Sequence, residues 1–147
     1  DSNGTVILTK CFITGDAALE IGGNNTVELR KCIVLGACVA AHLTDNVKLE
    51  AWDTYFIATG IPKGLRATSI RLEGNSKAFL NRCTVIGSNG IYCAANSKLE
   101  VKSGLVVAQK SRVPAFPHYA AIHGKGDMNG TQIFGFVKER GSEPEPV

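Results

Sequence analysis

The sequence has no long apolar run, no cysteine pair at metal-ligand spacing and no strong excess of one charge. No stretch approaches the roughly 18 apolar residues of a membrane-spanning helix, so no membrane insertion is expected. The net charge of +3 over 147 residues is far below the basic footprint of a dedicated nucleic-acid-binding domain. No nucleic-acid partner is therefore expected. The first residues also show neither the basic stretch nor the apolar core of a signal peptide.

The five cysteines are odd in number, and none stands in a CxxC pair. This pattern favours reduced thiols packed in a core over a disulfide framework, and with them an intracellular or otherwise reducing setting. The three histidines, His42, His118 and His123, are too dispersed for a metal triad. No metal and no cofactor is expected.

A repeat of 21–22 residues is the strongest positive signal. The segment TKCFITG at 9–15 recurs as RKCIVLG at 30–36 and as NRCTVIG at 81–87. A second column of asparagines, each three residues after an apolar position, repeats with matching steps that include one long third coil. Its members are Asn24, Asn46, Asn75 and Asn96.

Polar and apolar residues alternate between these columns, as in VELR at 27–30 and LEVK at 99–102. Strict alternation over short segments bounded by Gly and Asn indicates half-buried strands, and no segment sustains a helical period. A unit this short buries a core only by stacking on its neighbours. The sequence therefore predicts an all-β domain at 1–137, a single-stranded right-handed parallel β-helix of about six coils, followed by a flexible tail at 138–147.

The register predicts which side chains share a column. Cys11, Cys32 and Cys83 should point inward together. Trp52 should occupy the coil-three position of the same column, either in the core or at its rim, and the apolar stretch at 55–57 that follows favours the core. On the outside, Glu28 should face Lys48, with Arg30 beside Glu50 on the neighbouring coil. The amides of Asn46, Asn75 and Asn96 should bond to the equivalent turn of a neighbouring coil. Lys10, Lys31 and Arg82 should form a partial cationic stripe, by default a solvated face and alternatively an anionic docking strip.

The asparagine column, the coil length and the apolar stacks resemble the right-handed parallel β-helix of the pectin-lyase-like superfamily over roughly residues 3–137. That resemblance implies the fold more specifically than the function. The superfamily includes polysaccharide lyases and hydrolases, phage tailspikes and non-catalytic binding domains.

Two insertions interrupt the repeat, at 60–69 and 109–119, and insertions into solenoids often lie on the binding face. Both should leave the coil at the same corner and flank a cleft. Basic and aromatic groups together suit an anionic or sugar-like ligand. The alternative is that both are solubilising loops stiffened by proline. The predicted ligand-binding residues are Lys63, Arg66, Lys110, Arg112, His118 and Tyr119.

The residues do not favour catalysis. A polygalacturonase-type hydrolase needs clustered aspartates, whereas the aspartates here are well separated in sequence, and its Gly-His-Gly element is missing. A pectate-lyase-type Arg-x-Pro-x-x-Arg element begins at Arg112 but has Pro117 in place of the second arginine. No catalytic residue is predicted.

These features predict a non-catalytic β-helix that binds a carbohydrate or protein partner through its ladder face and the two loops. One alternative is a polysaccharide lyase- or hydrolase-like enzyme, with a site completed across subunits. Another is a structural subunit of a larger assembly. An oligomer, or a part of a larger chain or complex, is expected.

Overall fold

The alternating segments form parallel strands in a computed structural model, which describes residues 4–60, 67–94, 96–108, 122–124, 126–134 and 137–138. No helix occurs among these residues, and so none that could cross a membrane. In chain order, the strands are β1 (Thr5–Thr9), β2 (Phe12–Ile21), β3 (Thr26–Arg30), β4 (Ile33–Leu43), β5 (Lys48–Trp52), β6 (Tyr55–Ala58), β7 (Thr68–Leu72), β8 (Lys77–Asn81), β9 (Thr84–Gly87), β10 (Asn89–Cys93), β11 (Lys98–Lys102), β12 (Leu105–Ala108), β13 (Ile122–His123), β14 (Gln132–Phe134) and β15 (Val137–Lys138).

The strands stack into two sheets that together make a parallel β-solenoid. Sheet A has the order β1-β3-β5-β8-β11. Sheet B has two arms, because β2 and β4 are long and run through both. The first arm continues through β6, β9, β12 and β14, and the second through β7, β10, β13 and β15. The all-β parallel solenoid predicted from the repeat is confirmed.

The solenoid has about four turns, so the predicted number of six was wrong. Five strands stack in sheet A and enclose four steps between coils. Beyond β11, sheet A continues in the described residues only as an isolated bridge between Glu100 and Asp127. Handedness and the domain boundary at 137 stay predictions, and residues 139–147 lie outside the described part of the chain.

The core is made of inward columns that run the length of the solenoid. In sheet A the register aligns Val27, Leu49, Ala78 and Leu99 in one column. It aligns Leu29, Ala51, Leu80 and Val101 in the next. All eight side chains are buried. Each column buries its apolar surface only because a neighbouring coil covers it, so stability depends on stacking.

The cysteine column is confirmed. In each coil, the backbone N–H of the residue that follows the column position donates to the carbonyl of the column residue one coil earlier. These repeated hydrogen bonds align Cys11, Cys32, Thr54, Cys83 and Gly104. Cys32 and Cys83 are buried, and Cys11 in the first coil is half-buried. The residue at coil three is Thr54, whose hydroxyl donates to the Trp52 carbonyl at 2.9 Å.

Trp52 was wrongly predicted to lie in the core. The step from Cys32 to the next member of its column is 22 residues, which assigns Thr54 to the column. Along β5 the buried Leu49 and Ala51 face inward, so Trp52 faces outward. The left-handed backbone of Asp53 separates Trp52 from Thr54, so the alternation does not continue across the turn. The half-buried ring of Trp52 packs beneath the Arg30 guanidinium, 4.1 Å from the ring centroid.

The same step corrects the predicted charge pairs. Glu28 faces Glu50 and Arg30 faces Trp52 across β3 and β5. Lys48 instead pairs with Glu50 on its own strand, with Nζ and Oε1 2.7 Å apart. The predicted pairs assumed that equivalent positions on β3 and β5 are 20 residues apart, whereas the register separates them by 22 residues.

The asparagine prediction holds in part. Asn46 Nδ2 donates to Asn24 Oδ1 of the neighbouring coil at 2.8 Å. Asn46, Asn75 and Asn96 are all exposed, however, so none is the buried amide that was expected. The left-handed residue at these bends is the one before the asparagine, Asp45 or Gly74.

The glycine that ends the repeated motif marks the corner between the arms of sheet B. At Gly36 a side chain would meet the carbonyl of Val39, because the chain turns sharply within β4. The aligned positions are Gly15, Gly36, Ala58, Gly87 and Ala108. Only small residues occupy this corner.

The buried thiol of Cys83 should make stability depend on alkaline pH. Burial raises its pKa to about 11, from an ordinary value of 9.0. Below pH 9 the thiol is neutral in the folded and the unfolded chain. Between pH 9 and 11 the unfolded chain ionises first, so the free energy of unfolding should fall by about 2–3 kcal/mol.

Denaturant unfolding at several pH values would measure this fall. The Cys83→Ala protein should lose less stability between pH 9 and 11 than the unsubstituted protein. Cys38→Ala, at a half-buried position, should lose as much stability as the unsubstituted protein. Equal pH slopes for Cys83→Ala and the original would contradict the assignment.

Candidate functional site

The outer face of sheet A combines aromatic rings with charged groups in three columns. The first column contains Thr5, Thr26, Lys48, Lys77 and Lys98. The second contains Ile7, Glu28, Glu50, Phe79 and Glu100. The third contains Thr9, Arg30, Trp52, Asn81 and Lys102. Strand alternation puts these residues outside while the core columns face inward.

Two half-buried aromatic residues lie on neighbouring strands at the centre of this face. Trp52 is on β5, under the guanidinium of Arg30. Phe79 is on β8, with the Lys48 Nζ 5.5 Å from its ring centroid. Cation–π contacts of this kind hold the rings in place and keep positive charge beside them.

Two grooves follow the aromatic residues. The larger, about 460 Å³, runs along β11 between Phe79, Lys98 and Glu100 and ends at Gly126 and Asp127. The smaller, about 110 Å³, lies between Trp52 and Phe79 and is bordered by Asn81, Glu100 and Lys102. Both are open and both have a ring in their wall. The face therefore offers a shallow track for an extended ligand.

Lys48, Lys77 and Lys98 form a cationic ladder along the edge of the face. Adjacent coils are about 4.8 Å apart, so the backbone positions of the three lysines repeat at roughly that interval. Within the described residues, Lys77 and Lys98 make no ion pair, and Lys48 pairs with Glu50. The strand alternation suggested exposed charge here, and the register shows that the lysines align.

A second set of charged residues follows sheet A at the turn. Lys10, Lys31, Asp53 and Arg82 occupy equivalent left-handed positions, with φ between 52° and 55°. Arg82 donates to both carboxylate oxygens of Asp53, at 2.8 and 3.1 Å. This bond and the charge of Arg82 hold the pKa of Asp53 below its ordinary value, and Lys31 adds to the effect. The predicted stripe of Lys10, Lys31 and Arg82 is thus interrupted by an acidic residue that neutralises one of its members.

The six predicted ligand-binding residues lie outside the described part of the chain. Their insertions begin after Ala58 and Ala108, which align at the corner between the arms of sheet B, as expected. The first returns at Ala67 and the second at Ile122, both next to strands of the second arm. That corner belongs to sheet B, so the described ends of both insertions lie on sheet B and not on sheet A.

The stacking brings together carboxylates that are distant in sequence. Glu100 and Asp127 pair as a bridge between coils and both line the larger groove. Enzymes that use two carboxylates generally place one in an apolar pocket, whereas both of these residues are exposed. No group of three metal-ligating side chains occurs in the described residues. The arrangement suits ligand binding better than acid–base chemistry.

The second arm carries a separate polar cluster on its outer face. Glu73 accepts hydrogen bonds from Arg71 and His42, which lower its pKa. The distance from His42 Nε2 to Glu73 Oε2 is 3.2 Å, and Arg71 also stacks over Tyr92, 4.8 Å from the ring centroid. These groups bond to one another across the neighbouring coils.

Comparison with protein-family models, curated proteins and solved structures finds no match for this chain. The site is therefore assigned from its own geometry.

The pairing of Asp53 with Arg82 can be tested by titration. Replacing Arg82 with Gln removes the strongest hydrogen bond to the carboxylate, so the pKa of Asp53 should rise toward its ordinary value of 3.8. Nuclear magnetic resonance of the Asp53 carboxyl carbon would measure it. Arg30→Gln is the control, because Arg30 contacts Trp52, and it should leave the titration unchanged. An unmoved Asp53 pKa in Arg82→Gln would contradict the pairing.

Proposed function

We propose that this chain is a non-catalytic β-helix module that binds an extended acidic polysaccharide along the outer face of sheet A. The observation that carries the proposal is the pair of half-buried rings, Trp52 and Phe79, on neighbouring strands with cations beside them. Aromatic faces pack against the flat apolar faces of sugar rings, and the surrounding charged groups give polar contacts.

The repeat explains why an elongated ligand fits. Lysines recur on three successive strands, so a ligand with regularly spaced anions meets the same contact several times. Lys48, Lys77 and Lys98 form one outer column, on strands roughly 4.8 Å apart. Arg30 and Lys102 lie in the column of Trp52. Several weak contacts in series give affinity without a deep pocket.

The pectin-lyase-like resemblance supports a polysaccharide over a protein ligand, because members of that superfamily act on or bind acidic polysaccharides. The stacked strands and the cysteine and asparagine columns are consistent with membership, which we propose on these grounds. The rival enzyme function draws on Glu100 and Asp127, whose exposure disfavours it. If the chain were only a structural subunit, the rings of Trp52 and Phe79 would have no ligand to bind, which disfavours that alternative.

Binding of polygalacturonate tests the proposal, with its methyl-esterified form as a ligand of equal shape and little charge. Trp52→Ala and Phe79→Ala should each weaken binding about tenfold, because each removes a stacking surface worth roughly 1.4 kcal/mol. Lys77→Gln should reduce the dependence of affinity on salt, since one screened contact is lost. Isothermal titration calorimetry at several salt concentrations would measure both.

Tyr55→Ala is the control, because Tyr55 is a more exposed aromatic residue that lies on sheet B, so its loss should leave binding unchanged. Full binding by Trp52→Ala, together with loss of binding by the double Arg66→Ala, Arg112→Ala protein, would move the site to the insertions. Release of shorter products from the polymer would favour the enzyme function.

A further inference from the structure

Three asparagine–glycine dipeptides occur in the chain, at 3–4, 89–90 and 129–130. This dipeptide is especially prone to deamidation, because glycine has no side chain to shield its backbone nitrogen from the neighbouring amide. In a folded protein the reaction also requires that this nitrogen is accessible and free of hydrogen bonds. The three glycines differ in this respect.

Two of the glycine nitrogens are held by the fold. The N–H of Gly4 donates to Asn25 Oδ1 at 3.0 Å. Gly90 is buried within β10, which has β7 on one side and β13 on the other. Neither nitrogen can turn toward the preceding side chain unless these contacts break, so both dipeptides should be protected.

The third dipeptide lies in an exposed turn. The N–H of Thr131 donates to the Met128 carbonyl at 3.3 Å, which closes a β-turn with Asn129 and Gly130 at its two central positions. Both central residues are exposed. Gly130 has a φ of 63°, close to that of the left-handed residues at the equivalent turns of earlier coils.

The repeat explains why the nitrogen of Gly130 is free. In each earlier coil the N–H of the left-handed residue donates to a carbonyl one coil further along. Arg82 donates to Lys102 and Ser103 donates to Asn129, both at 2.9 Å. Gly130 is the next member of this series, and no strand of sheet A follows it among the described residues. Within that part of the chain its N–H has no acceptor.

The turn also continues the outer face of sheet A. The bridge between Glu100 and Asp127 sets the register, so Asn129 aligns with Lys102. Asn129 thus extends the outer column of Trp52 and Lys102 by one coil, or about 4.8 Å. A carboxylate at this position would stand beside Lys102, a cation that borders the smaller groove.

We propose that Asn129 is a site of spontaneous deamidation, and that the negative charge it gains weakens the binding of acidic polysaccharide along sheet A. The modification stands on the geometry of the turn, whereas its effect on binding rests on the proposed function.

The reaction needs only water. The Gly130 nitrogen attacks the side-chain carbonyl carbon of Asn129, and the new C–N bond closes a succinimide. The side-chain nitrogen leaves as ammonia and takes the Gly130 proton with it. Water then opens the ring at either carbonyl. One product is aspartate in the normal backbone, and the other is isoaspartate, in which the backbone runs through the side chain.

Peptide mapping by mass spectrometry, after incubation of the folded protein in neutral buffer, would measure the modification. Asn129 should lose its amide several-fold faster than Asn89. In the unfolded chain both should react at similar rates, because strand β10 no longer protects Asn89. Gly130→Lys should lose most of the reaction at Asn129, since a side chain then shields the nitrogen. Lys10 and Lys31 show that lysine fits this left-handed position.

Two results would overturn the modification site. One is an Asn129 that reacts no faster than Asn89 in the folded protein, because the turn would then be covered. The other is a Gly130→Lys protein that deamidates at Asn129 as fast as the unsubstituted protein.

Calorimetric titration of polygalacturonate into Asn129→Asp tests the effect on binding. The added charge should weaken binding about twofold to fivefold, the range expected for one exposed ion pair. High salt should remove the difference. Asn129→Gln keeps an uncharged amide and should bind like the unsubstituted protein. Equal affinity of Asn129→Asp and Asn129→Gln would overturn the effect on binding.

The two parts of the proposal fail separately. If the unsubstituted protein does not bind polygalacturonate, the proposed function is wrong and the effect on binding is wrong with it. The mass-spectrometric comparison of Asn129 with Asn89 still decides the modification site in that case.

Discussion

Parallel hydrogen bonding between coils, in register, is the constraint on which the structure depends. Each strand bonds to its equivalent one coil away, so a residue type that recurs in the sequence becomes a column in space. The same constraint applies at the corners. Lys31, Asp53 and Arg82 adopt left-handed backbone angles, which cost an ordinary residue about 1–2 kcal/mol. Their backbone N–H groups donate to the neighbouring coil, and those bonds help to offset that cost.

Columns also determine where function can reside. The backbone bonds are satisfied within the ladder and the inward columns fill the core, so only the outward columns and the insertions are free to vary in chemistry. Sheet A presents rings and cations, the second arm presents the cluster around Glu73, and the first arm presents apolar side chains. Residues 29 positions apart, such as Asp53 and Arg82, become bonded neighbours because one coil separates them.

The repeat predicted the fold because its signal is redundant. The cysteine and asparagine columns both contain the long third coil, and the inward column of Cys32 and Cys83 follows from them. Side-chain faces were harder to predict. An error of one residue in the register moves every side chain of a strand to the opposite face, and an error of two residues changes its partner on the neighbouring strand. Trp52 and the partner of Glu28 were misplaced for that reason. The aligned lysines could have been found from the steps of the asparagine column, because the 29-residue long coil leads from Lys48 to Lys77 and the next step of 21 leads to Lys98. The grooves, in contrast, depend on three-dimensional packing.

The apolar first arm could not be distinguished from core by sequence, because continuous runs such as Ile33–Leu35 are typical of a strand buried on both sides. Only the register shows that the outer side has no strand over it among the residues that the structure describes. Since the first arm and sheet A share the same coils but not the same outward columns, a substitution on one face leaves the ladder intact and the other face unchanged. Effects of distant, independent substitutions are generally additive. Substitutions on the outer face of the first arm should therefore leave polysaccharide binding along sheet A unchanged.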